Sequence, residues 1–312
     1  MTPNRSDRPR TVAHGRRPRL VDHNCPFCWG NEHATAEEIT RVGPGGPAEP
    51  GWRVRVVKNR YPVVGGAGAA TGECEVVVFR AHERRLEDLE VDEVAEILAV
   101  IRDRVAAQSV ARTSVQVFVN AEAEAGASIA HPHAQLIALD FVPPALALEF
   151  AMISSLGADP LLRDLELAEE LDLVVVEGAV AAWCPWAMPL PYGVRIAART
   201  PGPPFTELGA ADIAAVAQTL RDVVRAMNDV LDHPAYNVVV FSDQARAAGA
   251  ELVRRWRIEV IPRITVGGGF EIGTAVTTHA TEPAVAAATL RAQVERNATP
   301  ASGQSMPRRA HS

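Results

Sequence analysis

The chain has 312 residues, 47% of them hydrophobic and 22% charged, with a formal net charge of −7. Such a composition builds one large or two modest domains at about 150 residues each, and it excludes a wholly disordered, collagen-like or disulfide-stapled chain. The acidic balance disfavours general nucleic-acid or anionic-membrane binding. No apolar run reaches the roughly 18 residues that span a bilayer, and Met1–Arg10 lacks the apolar core of a signal peptide, so a cytoplasmic protein with no nucleic-acid or membrane partner is expected.

In chain order, residues 1–16 read as a disordered or extended arm. Cys25-Pro-Phe-Cys28 follows, in a chain with only two further cysteines, Cys74 and Cys184. Without a secretion signal this spacing reads as a metal or redox pair. A closed tetrahedral zinc site needs two more ligands, for which His82 and His131 are candidates; a packed, metal-free pair is the alternative. A strand is expected over Val54–Val57, and just past it Asn59-Arg60-Tyr61-Pro62 offers an amide, a guanidinium and an aromatic ring. That set can hold a phosphate and stack on a base, or form an ordinary turn. A second strand is expected over Glu75–Phe79. Helical spacing of Val94, Ile97, Leu98, Ile101 and Val105 predicts a helix over 91–107.

The apolar run Val115–Val119 predicts a strand ending at Asn120, whose amide either faces a pocket or sits in a turn. Small residues at Gly126 and Ala127, followed by Ser128, let backbone N–H groups and a hydroxyl approach an anion. His131-Pro132-His133-Ala134-Gln135 leads into a strand over Leu136–Leu139. Alternation puts positions 131, 133 and 135 on one face, and the proline places the stretch at a strand start or sheet edge. An imidazole is a good nucleophile toward phosphorus, and a neighbouring amide can hydrogen-bond a phosphoryl oxygen; two surface histidines beside a turn are the plainer alternative. A second helix is expected over 210–231, through Ile213, Val216, Leu220, Val224 and Met227. Strands follow over Val238–Phe241 and Ile258–Ile261, then a disordered tail over 297–312.

The chain also repeats. At an offset of 119, Leu86–Leu89 falls on Phe205–Leu208, Val94-Ala95 on Ile213-Ala214 and Arg102-Asp103 on Arg221-Asp222. Downstream the offset is 124, and His131–Gln135 falls on Arg255-Trp-Arg-Ile-Glu259. Each unit reads strand, helix, strand, strand, as duplication would produce, two similar helices by chance being the plainer alternative.

Together these residues resemble the galactose-1-phosphate uridylyltransferase family, the nucleotidyltransferase branch of the histidine-triad superfamily. The resemblance runs from about Arg17 to Arg291. It is carried by Arg17-Pro18, Cys25–Cys28 with Gly30-Asn31-Glu32, Asn59–Pro62, Gly72–Val76, His82, Asn120, Gly126-x-Ser128 and His131–Gln135, then Tyr236-Asn237, Pro262-Arg263 and Gly269–Thr274. It implies an α+β fold of two tandem histidine-triad-like units, antiparallel sheets with packed helices, usually as a homodimer. Residues 17–150 would form the unit with the zinc site and catalytic histidine, and 151–296 a degenerate second unit.

The implied reaction is ping-pong. His133 would take a nucleoside monophosphate from a nucleotide sugar and pass it to a sugar 1-phosphate. Gln135 and Ser128 would assist, and Arg17, Asn59, Arg60, Tyr61, Asn120, Gly126 and Ala127 would bind substrate. Cys25, Cys28, His82 and His131 would hold one structural zinc. Gln135 in place of a third histidine suits transfer between phosphates, whose oxygens are already ionised, better than activation of water.

Three departures stand out. Some members carry a second metal on a His-x-His strand where this chain has Arg255-Trp-Arg257; arginine does not ligate metals, so no second metal is expected there, and the arginines would serve a scaffold or an anion. His14 stands where an arginine is often found. Gly269–Thr274 resembles the nucleotide-sugar phosphorylases, which use inorganic phosphate as acceptor. ADP-glucose phosphorylase-like activity is therefore an alternative, as is a nucleotide-binding relative without turnover.

Overall fold

The computed structural model describes residues 24–65, 71–82, 84–188, 190–245, 255–265, 268–274, 276, 278 and 281–299. Arg17, His14, the expected arm over 1–16 and residues 300–312 of the expected tail lie outside them.

The β-branched runs form strands. Those of the first half are β1 (Glu38–Val42), β2 (Val54–Lys58), β3 (Gly72–Phe79), β4 (Ser114–Ala121) and β5 (His133–Leu139), with helix α1 (Val91–Ser109) between β3 and β4. Helices α2 (Pro144–Leu156) and α3 (Pro160–Glu170) follow. The second half supplies β6 (Val174–Val176), β7 (Val180–Trp183), β8 (Val194–Ala198), α4 (Ala210–Leu231), β9 (Tyr236–Ala245), β10 (Arg257–Pro262), α5 (Gly269–Thr274) and α6 (Pro283–Ala298). Helix starts carry the expected signals: proline at the first helical position of α2, α3 and α6, and Asp159 accepting the Leu161 N–H at 3.0 Å ahead of α3. Among the described residues no single helix is long and apolar enough to cross a membrane.

All ten strands join one antiparallel sheet in the order β1-β2-β3-β5-β4-β9-β10-β8-β7-β6. The order is mirrored about the β4–β9 seam. On one side β2-β3-β5-β4 accompany α1, and on the other β7-β8-β10-β9 accompany α4. Repeat-related residues bond reciprocally across the seam: Arg102 donates to the Leu208 carbonyl at 2.7 Å, and Arg221 to the Leu89 carbonyl at 2.6 Å. Both pairs differ by the offset of 119 read from the sequence. The boundary expected between residues 150 and 151 falls inside α2, and α6 continues to Ala298, into the stretch expected as tail.

Strand alternation then assigns two faces. Val54, Val56, Val77, Phe79, Val117, Ala134, Leu136, Val240, Ile258 and Val260 bury against Val94, Ile97, Ile101, Val216, Leu220, Val224 and Met227 of α1 and α4, with Leu290 of α6 behind them. The intervening positions, including Val76, Val78, Asn120, His133 and Gln135, face the other way. On that face Trp52, Val57, Val76 and Val78 form a smaller core covered by Phe27 and Trp29 of the Cys25–Cys28 segment.

Candidate active site and metal centre

Cys25, Cys28, His82 and His131 come together from three separate segments, all buried, with their ligand atoms within 4.8 Å of one another. Nε2 of His131 faces the Phe79 carbonyl at 2.6 Å. A carbonyl only accepts, so Nε2 carries the proton and Nδ1 turns its lone pair inward. That Nδ1 lies 3.6 Å from the Cys25 sulfur, 3.5 Å from the Cys28 sulfur and 3.2 Å from Nδ1 of His82, which is itself 3.2 Å from the Cys28 sulfur. Four soft or borderline donors converging on one point are the donor set of a closed metal site. The supporting bonds are local. Asn31 donates to the Cys25 carbonyl at 2.8 Å. The buried carboxylate of Glu32 accepts from the Gly30 N–H and the Trp52 indole, both at 2.9 Å.

His131 precedes β5 rather than belonging to it, so its ring turns to the cysteines while His133 and Gln135, inside the strand, share one face. Pro132 has no N–H for the ladder, and its carbonyl accepts from Phe79 N at 3.2 Å. Nδ1 of His133 meets the His131 carbonyl at 2.8 Å and must donate to it. Phe27, between the two cysteines, packs on both imidazoles, with centroids 6.0 Å from His131 and 5.3 Å from His133.

His133 and Gln135 line a cleft of about 260 Å³ with Ser128, Asn59, Arg60 and Tyr61. Asn59 Oδ1 accepts the Tyr61 N–H at 2.8 Å, which folds the turn and leaves the amide nitrogen as a donor. Sequence reasoning missed the cleft's other walls, Phe27, Thr35, Val57, Lys58 and Ile129. Phe27 was in view inside the cysteine pair, and Lys58 beside Asn59. The Lys58 ammonium bonds Glu37, which holds its pKa above the usual lysine value.

Asn120, Gly126 and Ala127 do not border this cleft. Asn120 and Ala127 line a separate small cavity of about 30 Å³ with Arg85, Glu122 and Tyr236. There the Tyr236 hydroxyl donates to Glu87 at 2.7 Å, and burial pushes both groups' pKa values up. Gly126 has φ +95, and a Cβ placed on it would come within 3.3 Å of the Asn120 amide nitrogen.

On the same sheet face a second cavity of about 330 Å³ lies between the two halves of the chain, with Gln116, Glu149, Arg195, Phe241, Arg257 and Glu259 in its lining. Arg257 stands at the repeat position of His133 and Glu259 at that of Gln135. The expected role of these arginines toward an anion is not what the geometry favours, because each guanidinium already meets carboxylates. Arg257 contacts Glu149 at 2.7 Å and Glu259 at 2.9 Å, Arg195 contacts Glu259 at 2.8 Å and Asp164 at 2.7 Å, and Arg255 contacts Asp159 at 3.2 Å.

Residues 65–143, which include His131–Gln135, match the family model for the N-terminal domain of galactose-1-phosphate uridyl transferase. The chain is 26% identical over 277 residues to an ADP-glucose phosphorylase of Arabidopsis thaliana, covering 82% of this chain and 78% of that one. It is 32% identical over 199 residues to a galactose-1-phosphate uridylyltransferase of Streptomyces lividans, a match covering 60% of this chain and about half, 51%, of the relative. Among solved structures, an ADP-glucose phosphorylase from Arabidopsis thaliana with bound ADP-glucose superposes with a TM-score of 0.76 at 25% identity, over 88% of this chain and 92% of that one. A uridylyltransferase structure with a TM-score of 0.73 at 24% identity, over 92% and 95% of the two chains, shares the fold. In both sequence and fold the chain is similar to galactose-1-phosphate uridylyltransferases and to the ADP-glucose phosphorylase related to them.

Proposed function

We propose that the protein transfers a nucleoside monophosphate from a nucleotide sugar to a phosphate-bearing acceptor through a nucleotidyl-His133 intermediate. The observation that carries this is the 2.8 Å contact between Nδ1 of His133 and the His131 carbonyl. With the proton held on Nδ1, Nε2 has the lone pair, in a ring that lines a cleft equipped to bind a nucleotide. Nε2 attacks the α-phosphorus; the P–N bond forms as the bond to the departing sugar 1-phosphate oxygen breaks. That oxygen leaves as an ionised phosphate and needs no proton. The positive charge that develops on the imidazole is met by the His131 carbonyl. An acceptor phosphate oxygen then attacks phosphorus, and the P–N pair returns to Nε2. Gln135 donates to the phosphoryl oxygens, and Ser128 supports them with its hydroxyl. Asn59, Arg60 and Tyr61 hold the nucleotide at the cleft rim. Arg17 is proposed as a further substrate contact on the resemblance alone, Asn120 as a donor to the phosphoryl group on the resemblance and on its place in the strand beside His133, and Gly126 and Ala127 act through the loop they shape.

Cys25, Cys28, His82 and His131 would hold one zinc. Zinc at about 2.3 Å from sulfur and about 2.0–2.1 Å from nitrogen sets tetrahedral ligand atoms roughly 3.3–3.8 Å apart, near the 3.2–3.6 Å separations here. With four protein ligands the ion would supply folding energy and leave no position for substrate. We take the chain as two histidine-triad-like units, 17–150 and 151–296, a reading supported by the mirrored strand order. A cytoplasmic location is proposed on the sequence reading, and a homodimer on the family resemblance alone.

The first choice of acceptor is a sugar 1-phosphate. A second reading, inorganic phosphate, is favoured by the longer match to ADP-glucose phosphorylase, 277 residues against 199. The test is intact mass after mixing with UDP-glucose, ADP-glucose or GDP-mannose, denatured in alkali because phosphoramidates are acid-labile. A gain equal to one nucleoside monophosphate is expected, absent from His133→Ala. Discharge of the adduct by phosphate or by a sugar 1-phosphate then names the acceptor. No gain with any donor sinks the transfer reading for those donors and favours a binding protein.

A further inference from the structure

We infer that Asn237, contributed by the second unit, is a positioning residue for the first unit's site, setting which end of the Asn120 amide is offered to substrate and pinning the turn that leads to Ser128. The inference rests on the transfer reading above. It begins with register. On one side β4 pairs with β9 so that Asn120 lies opposite Asn237. On the other it pairs with β5 through Phe118 with Gln135 and Val119 with Ala134, and one step further along Asn120 comes opposite His133. Asn237, Asn120 and His133 therefore form a row across three adjacent strands, on the face turned away from α1 and α4.

The hydrogen bonds then fix the amides. Asn237 Nδ2 lies 2.8 Å from the Ala125 carbonyl and 2.8 Å from Asn120 Oδ1. The carbonyl can only accept, so the Asn237 atom facing it must be the nitrogen. The Asn120 atom facing that same nitrogen must then be the oxygen, because two amide nitrogens would present donor to donor. Both Asn237 hydrogens are spent, and Asn120 Nδ2 is turned to the other side, toward Gly126. Ala125 closes the short helical turn Ala123–Ala125, which leads directly to Gly126 and Ser128. One side chain thus sets the donor direction of Asn120 and the position of the loop beside the nucleophile. The unit that lacks a histidine at the repeat position still completes the working site.

The test is a double-mutant cycle on His133 nucleotidylation: wild type, Asn120→Ala, Asn237→Ala and the double variant, each with its melting temperature and donor dissociation constant. A single preorganised donor is worth roughly 10²–10³ in rate, so Asn120→Ala should lose about 100-fold. Asn237→Ala should lose about tenfold or more in the rate of adduct formation, with donor affinity changed less than about threefold. The double variant should be slower than Asn120→Ala by clearly less than the full factor that Asn237→Ala costs in wild type, since part of that loss runs through Asn120 and only the part held by the Ala125 contact is left. Isosteric Asn237→Asp, which keeps the shape but offers no hydrogens when ionised, should be at least as slow as Asn237→Ala. Multiplying losses in the double variant, wild-type rates in both position-237 variants, or unfolding of every substitution there would each overturn the proposal and leave Asn237 a structural residue. Absence of adduct in wild type would instead overturn the transfer reading itself.

Discussion

Gly126→Ala separates backbone strain from crowding at the site, because the structure supplies its own control. Gly126 sits at φ +95 and ψ 13; an L-residue in left-handed backbone loses about 1–2 kcal/mol. Gly157, after α2, has φ +60 and ψ 20, and nothing lies within 4 Å of where its Cβ would go. Gly157→Ala therefore meets the backbone term alone. At about 2–4 °C per kcal/mol for a chain of this size, each variant should melt roughly 2–8 °C below wild type. Only at position 126 does the new methyl press on Asn120 Nδ2, at 3.3 Å, and Asn120 cannot swing away freely because Asn237 holds its oxygen. A displacement of a few tenths of an ångström at a phosphoryl donor should slow nucleotidylation about tenfold, given that about 1 Å can cost 10²-fold. Melting curves and rate of adduct formation by quenched intact mass are measured on both variants. If both melt alike and Gly126→Ala forms adduct at the wild-type rate, the coupling between this turn and Asn120 does not exist.

Other predictions concern the two buried clusters. Metal analysis should find one zinc per chain, and Cys28→Ser should bind less than a tenth of that and lose several kcal/mol of stability; a metal-free wild type melting as before would contradict this. Arg257→Met takes one partner from Glu259, a buried carboxylate, and from the half-buried Glu149, and should lose about 1–3 kcal/mol, part of it recovered in Arg257→Met with Glu259→Gln, measured by urea unfolding. At Glu259 burial works to raise the pKa, but Arg195 and Arg257 outweigh it and hold it below the ordinary glutamate value. A carboxylate depressed in the folded state stabilises above its unfolded pKa and loses that contribution as pH falls through the folded one. Wild type should therefore shed melting temperature more steeply than Glu259→Gln on acidification from about pH 5 downward.

The two helices that sequence alone revealed bury one stripe each. Val94, Ile97 and Ile101 on α1, and Ile213, Val216 and Leu220 on α4, fall on a single stripe because only that stripe meets the sheet. Helix α2 escaped because its apolar residues point everywhere. Phe150 and Ile153 are buried, while Leu148, Met152 and Leu156 are exposed, so no period survives. Strands β6 to β8 escaped because Val174–Val176 is three residues long, and β7 and β8 lean on alanine. The clustering of Cys25, Cys28, His82 and His131 was anticipated from the cysteine spacing together with the family resemblance. The side chains that orient the site were not. Asn237 lies 117 residues from Asn120, and nothing in its local sequence announces a partner that distant; it was visible only as a family marker.

The seam between β4 and β9 also governs how the molecule is made. A ribosome adding about 5–20 residues per second needs roughly 6–23 s to travel the 117 residues from Asn120 to Asn237. Within that interval β4 gains its β5 neighbour once Leu139 is made, but keeps an open edge on the other side, lined by the alternating valines of Val115–Val119. An unpaired apolar edge is a template for another strand. The nascent first half thus carries a sticky margin that only its own second half can close, and any truncation ahead of Tyr236 leaves that margin to pair with other chains.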